Sequence, residues 1–271
     1  MPELPEVETT RRGLEPWLVG RKVRSIRVHD ARLRWPVDPK LTERLRRREL
    51  LGMERRAKYL LFRFQNGTLI GHLGMSGSMR IASAGDELRK HDHVEIDFGE
   101  DTILRYHDPR RFGFLLWTED DPHEHPRLRS LGPEPLGEHF DGAHLASCAA
   151  GRKLATKAFI MDPKVVVGVG NIYASEALHR AGIRPGRAAG RVSGPRWDRL
   201  ATEIRAVLRE AIEDGGTTLR DFLGSDGEPG YFVQNLQVYA RAGEPCRQCG
   251  QPIRRSVIGQ RASYYCAQCQ A

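Results

Sequence analysis

The sequence contains no run of roughly twenty apolar residues, the length a membrane-spanning helix requires. Its first residues, MPELPEVE, have neither the positive charge nor the apolar stretch of a secretory signal. A cytoplasmic protein with no membrane partner is the expectation. Cysteine is scarce and unevenly placed: four of five lie within the last 26 of 271 residues. That excludes a disulfide framework spread through a secreted domain and makes the four one local site. The fifth, Cys148, reads as a small buried or incidental residue. Negative charge is also short. Asp and Glu number 35 against 43 Lys and Arg, a net charge of +8, and this balance favours a polyanionic partner, either nucleic acid or an acidic membrane surface. Against that background, three glutamates in the first eight residues are out of place.

The chain has room for two domains and a buried core. After Leu4, Val7, Leu14 and Leu18 recur at helical spacing, so residues 3–18 read as an amphipathic helix with Pro5 tolerable in its first turn. Beyond Gly20 come short runs rich in β-branched and aromatic residues, KVRSIRVHD, YLLFRF, TLIGHL, SMRIA, HVEIDF and ILRY, which read as strands. QNG at 65–67 and FGED at 98–101 supply turn chemistry between neighbours, predicting antiparallel hairpins in a sandwich and no βαβ units. The proline-rich SLGPEPLGEH, 130–139, reads as a stiff polar linker at a domain boundary. Past it the period is helical: Trp197, Leu200, Ile204, Val207, Leu208, Ala211 and Ile212 form one apolar face, ended by Gly215 and Gly216. Residues 217–235 carry turn-forming glycine and proline among aromatics and read as a mobile loop over a binding surface.

Cys246, Cys249, Cys266 and Cys269 form two C-x-x-C knuckles sixteen residues apart. That spacing can close four thiolates around one Zn²⁺, and four protein ligands leave no open position, so the metal is structural. Between the knuckles, PIRRSVIGQRASYY predicts a β-hairpin with Gly259 and Gln260 at its tip and Arg254, Arg255 and Arg261 around it, suited to gripping phosphates. Gly168-x-Gly170 precedes a helix-like run, but Tyr173 occupies the third glycine position of a dinucleotide fingerprint and no strand-helix-strand context surrounds it. The better reading is a glycine turn with Asn171 capping a helix whose N–H groups face a DNA phosphate. GHLGMSGSM and HDPRRFGF each set large side chains in glycine-flanked turns. Met75 from one, with Arg110, Arg111 and Phe112 from the other, makes an apolar wedge plus a cation, the kit for entering a base stack beside an extruded nucleotide.

Together, PELPEVE, RRAKYLLF, HLGMSG, DPRRFG, SLGPEPL, VVGVGNIYASEALHRAGI, GGTTLRDF and the finger ending GQRASYYC-x-x-CQ resemble the formamidopyrimidine-DNA glycosylases, bacterial base-excision repair enzymes, from residue 2 to residue 270. The resemblance implies an α+β, multi-domain chain: an amino-terminal helix and antiparallel β-sandwich over 1–133, a helical helix-two-turn-helix domain over 134–237, and a zinc-finger β-hairpin over 238–271. It further implies one structural Zn²⁺ and a monomer that holds double-stranded DNA containing oxidised bases between its domains, in the bacterial cytoplasm at the nucleoid.

The resemblance also accounts for the acidic start. With Met1 removed, Pro2 presents a secondary amine; an α-amino group of pKa about 8 keeps a neutral fraction able to attack C1′ of a damaged nucleoside. The implied activity is a glycosylase and AP lyase for 8-oxoguanine and formamidopyrimidines, working through a Pro2 Schiff base and β,δ-elimination. Glu3 corresponds to the general acid/base and Glu6 to a partner that positions it or the amine. Lys58 and Arg261 join this catalytic group as contacts to phosphates at the lesion. His72 and Asn171 correspond to further phosphate contacts and Tyr239 to a DNA contact. Met75, Arg110 and Phe112 correspond to the wedge, with Arg110 facing the cytosine opposite the lesion, and residues 217–226 to a cap over the flipped base. Lys157 and Glu176 fall in matching segments with no catalytic assignment. Two other readings stay open: an endonuclease VIII-type glycosylase with the same nucleophile and a preference for oxidised pyrimidines, and a non-catalytic damage-binding zinc protein in which Pro2 is blocked.

Overall fold

The structure, a computed structural model, describes residues 2–216 and 232–271. The expected cap, 217–226, and most of the loop expected over 217–235 lie outside the described residues. The chain forms two compact units, one of residues up to Arg129 with 214–216 and 232–233, the other of residues 130–213 and 234–271.

The first unit opens with α1, Leu4–Leu18, which buries Leu4, Val7, Thr10, Leu14 and Leu18 along one face. It continues through β1 (Ser25–Val28), α2 (Leu41–Leu45), β2 (Leu50–Arg56), β3 (Tyr59–Phe64), β4 (Gly67–His72), β5 (Ser78–Ala82), β6 (Asp92–Asp97), β7 (Ile103–His107) and β8 (Phe114–Thr118). The strands make two four-stranded antiparallel sheets, in the orders β1-β6-β7-β5 and β2-β3-β4-β8. β3 pairs with β4 across QNG and β6 with β7 across FGED, the two hairpins expected from turn chemistry. Phe62, Leu69 and Leu115 from one sheet meet Met79, Val94, Ile96, Leu104 and Tyr106 from the other in one core, which α1 shares through Val7, Leu14 and Leu18. Each large apolar side chain so buried contributes roughly 1.5–3 kcal/mol.

The structure corrects the strand reading by adding β2, β8 and the short α2. LLGMERR hides its period: Leu51 is exposed, the register shifts between Leu50 and Gly52, and its arginines are partly buried. FLLWT runs directly out of the DPRRFG turn, with no punctuation of its own.

The second unit holds α3 (Gly142–Ala149), α4 (Thr156–Ile160), α5 (Asn171–Arg180) and α6 (Gly194–Glu213), then the antiparallel hairpin of β9 (Arg254–Ile258) and β10 (Arg261–Tyr265). Every residue of the predicted apolar face of α6 is buried, and the helix packs on α3 and α5. The hairpin turns through Gly259 and Gln260, both at positive φ, as a two-residue turn requires. Residues 130–140 are tied to this unit: Arg205 on α6 donates to the carbonyls of Pro135 at 3.1 Å, Gly137 at 2.9 Å and Phe140. Cys148 is half-buried on α3, 3.8 Å from His144 Nε2. Among the described residues, no helix is long and apolar enough to cross a membrane.

Candidate active site and metal centre

Pro2 is buried, and Glu3 after it is the N-cap of α1 in extended backbone. Glu3 and Glu6 form a capping box, in which Glu6 Oε2 accepts the Glu3 N–H at 2.7 Å. That N–H belongs to the peptide joining Pro2 to Glu3, so Glu6 fixes the plane on which the proline ring sits. Both carboxylates are only 2 % exposed. Gly216, at φ +87, lies against Glu6, and a Cβ there would stand 3.3 Å from Glu6 Cγ and Oε1. Pro5, in the first turn, removes an N–H that would otherwise lack a partner. Pro2 thus stands at the head of a buried, hydrogen-bonded helix start beside Glu3 and Glu6.

Lys58 sits in the two-residue turn between β2 and β3, after Ala57 at φ +55. His72, at the end of β4, pairs with Tyr59, and its ring stacks on Phe114 at 5.0 Å and 9°. Its Nδ1 accepts the Gly74 N–H at 3.0 Å, which leaves the ring proton on Nε2. Burial, reinforced by the charges of Lys58 and Arg34, pulls the His72 pKa down to about 4. The ring is therefore a neutral N–H donor at neutral pH.

The two glycine-flanked turns are pressed together. A Cβ on Gly74, at φ +65, would come 2.4 Å from the backbone nitrogen of Gly113. Met75 follows, half-buried. Asp108, fully buried, latches both turns: it accepts from Ser76 Oγ at 3.2 Å, Arg110 N–H at 3.3 Å and Gly113 N–H at 2.8 Å. Arg110 and Phe112 are left exposed, the guanidinium 4.9 Å from the ring centroid. Met75, Arg110 and Phe112 therefore sit on adjoining turns, as a wedge needs. Sequence reasoning passed over Asp108, although Asp-Pro at the head of a turn is its signal.

In the second unit the cap of α5 is Gly170, and Asn171 is the first helical residue with no capping hydrogen bond, which corrects the expected Asn171 cap. Asn171 Nδ2 instead donates to Tyr239 Oη at 3.4 Å, bringing two predicted DNA contacts together. The Tyr239 turn hangs on Glu176, whose buried carboxylate accepts the N–H groups of Gln237, Val238 and Tyr239 at 2.8–3.0 Å. Lys157, also buried, donates Nζ to Ala262 O at 3.0 Å and Ser263 Oγ at 2.9 Å, holding the strand that begins with exposed Arg261. Glu176 and Lys157 act as supports.

Cys249 and Cys266 Sγ lie 3.4 Å apart and Cys246 and Cys269 Sγ 3.9 Å apart, with all four within 4.8 Å of one another. Tetrahedral Zn–S bonds of about 2.3 Å place sulfurs about 3.8 Å apart, so the cluster fits one Zn²⁺ with no position left for water. Gln270 braces the second knuckle, accepting the Cys266 N–H at 2.8 Å and donating to Ile183 O at 2.8 Å.

Three family models match: the formamidopyrimidine-DNA glycosylase N-terminal domain over residues 1–115, its H2TH domain over 131–222, and the zinc finger found in FPG and IleRS over 243–271. Formamidopyrimidine-DNA glycosylases of Methylococcus capsulatus and Stutzerimonas stutzeri are 60 % and 58 % identical over 270 residues, covering 100 % of both chains in each case. The crystal structure of the Fpg protein from Thermus thermophilus is 39 % identical, with a TM-score of 0.88 over 99 % of this chain and 98 % of its own. That of Lactococcus lactis Fpg with N7-benzyl-Fapy-dG containing DNA is 34 % identical, with a TM-score of 0.92 over 99 % of each chain. The sandwich, the H2TH helices and the four-cysteine finger define a DNA-repair enzyme of the bifunctional glycosylase and AP lyase class. The chain belongs to the formamidopyrimidine-DNA glycosylase family, whose members act on damaged bases in DNA.

The His72 ring should keep neutral nitrogen shifts down to pH 5 in NMR, and titration near 6.5 would contradict its burial. The unfolded ring takes its proton at about 6.5 and the folded one only near 4, so between them the folded state holds fewer protons. Stability of the first unit should therefore fall as pH drops through that window, by up to about 3 kcal/mol, and His72→Gln should flatten the loss. Asp108→Ala strands three donors and should cost about 2–4 kcal/mol in chemical denaturation; a loss below about 0.5 kcal/mol would show that Asp108 is not the latch.

Proposed function

We propose that this protein excises oxidised purines, 8-oxoguanine and formamidopyrimidines, from duplex DNA and cuts the strand, with the Pro2 nitrogen as nucleophile. The burial of Glu3 and Glu6 to 2 % exposure around the peptide that follows Pro2 carries this reading. A merely solvated helix start would leave its carboxylates in water, whereas these two are held out of it beside the Pro2–Glu3 peptide.

With Met1 removed, the neutral Pro2 nitrogen donates its lone pair to C1′, and the glycosidic C1′–N bond breaks as the base leaves with a proton. Glu3 protonates O4′, the C1′–O4′ bond opens, and the nitrogen lone pair completes a C1′=N⁺ iminium. A secondary amine then has no N–H left to lose, so the charge is fixed. It acidifies C2′: loss of that proton breaks C3′–O3′, and a second elimination, with loss of the C4′ proton, breaks C5′–O5′. Water hydrolyses the iminium and frees Pro2.

Glu6 positions the Pro2–Glu3 peptide. Lys58, Arg261, Asn171 and the Nε2–H of neutral His72 hold phosphates around the lesion, with Tyr239 beside Asn171. Met75 and Phe112 fill the gap left by the extruded nucleotide, and Arg110 meets the cytosine opposite. A bound Zn²⁺ supplies rigidity at Cys246, Cys249, Cys266 and Cys269, so that the hairpin presents Arg261. In this reading residues 1–133 carry the chemistry, while 134–237 and 238–271 grip the backbone of the same duplex, as a monomer in the cytoplasm at the nucleoid.

Glu3→Gln should slow cutting of a duplex carrying 8-oxoguanine opposite cytosine by at least about a hundredfold, with binding changed less than about threefold. Normal excision by that variant would remove Glu3 from the chemistry. Faster cutting of thymine glycol opposite adenine by the unaltered enzyme would select the pyrimidine-lesion reading, and tight binding with no cutting the non-catalytic one.

A further inference from the structure

We infer that His179 is a positioning residue of the metal centre, donating its Nε2–H to the Cys246 thiolate. The zinc ligands are the four cysteines, and His179 is not among them. It lies in the last turn of α5, 5 % exposed, with Nε2 3.7 Å from Cys246 Sγ, a reach that suits sulfur's large radius. Cys246 is itself buried, at 3 % exposure, so water does not compete for that sulfur.

The other ring nitrogen selects the tautomer. Nδ1 is buried with no hydrogen-bond partner among the described residues. A proton on Nδ1 alone would strand a buried donor there and turn the Nε2 lone pair towards an electron-rich thiolate. A proton on Nε2 satisfies the sulfur and leaves at most a bare lone pair at Nδ1, the cheaper orphan. The donation to sulfur therefore does not depend on the ring's charge.

Four thiolates around Zn²⁺ carry a net charge of about −2, and a hydrogen bond to one sulfur draws off part of it. The bond makes the buried Cys246 sulfur less nucleophilic than it would be without the donor, while Cys249 is exposed. The bond also ties α5, which begins at Asn171, to the first knuckle, as Gln270 ties the second to Ile183.

The test uses full-length protein with ¹¹³Cd in place of zinc and ¹⁵N-labelled histidine. The expected result is an Nε2–H tautomer for His179 with a through-bond coupling from its Hε2 to ¹¹³Cd, a signature that space-filling alone does not produce. His179→Phe should lose the coupling, shift the ¹¹³Cd resonance and release zinc to a colorimetric chelator about 10–100-fold faster. His179→Gln, which restores an N–H, should recover part of the retention. An Nδ1–H tautomer in the unaltered protein, or no coupling together with wild-type zinc release from His179→Phe, would overturn the proposal, and the first readout needs no variant.

Discussion

One hydrogen bond, from the Glu3 N–H to Glu6 Oε2 at 2.7 Å, holds the start of the chain in place. Chain termini fray unless something ties them down, and a frayed terminus places no atom reproducibly. Here the first amide after Pro2 is held by a carboxylate one helical turn ahead. The helix supplying that carboxylate is anchored through Leu4, Val7, Leu14 and Leu18 in the sandwich core. Gly216 closes over Glu6 without a side chain of its own. On the proposed reading, in which the Pro2 nitrogen attacks, a group so held has already lost most of the freedom that a bimolecular attack must give up.

The same device recurs. Asp108 gathers the Arg110 and Gly113 amides, and Glu176 gathers those of Gln237, Val238 and Tyr239. Three buried carboxylates thus each shape the backbone beside a residue assigned to DNA or to chemistry. Burial raises the pKa of Glu176, and the three N–H donors oppose that shift. With internal carboxylates fixing the loops, Arg110 and Arg261 stay exposed, and in the proposed reading they face base and phosphate.

Much of this was legible beforehand. The face of α6 and the hairpins at QNG and FGED announce themselves because side-chain period and turn chemistry are local properties. The zinc ligands announce themselves by spacing. β2 and β8 were hidden because a register shift and an unpunctuated turn erase the period of two. Asn171 was misjudged as a cap because a side chain that suits capping also suits a contact made across the fold, here with Tyr239. The neutrality of His72 and the roles of Asp108 and His179 depend on neighbours far away in sequence, which no local pattern encodes.

The central claim is tested most directly by reacting the enzyme with a lesion duplex, reducing the adduct with borohydride, digesting it and locating the cross-linked residue by mass spectrometry. The account requires the sugar remnant on an amino-terminal peptide that begins with Pro2, joined through its ring nitrogen. An adduct on Lys58, Lys157 or any other internal lysine would contradict it.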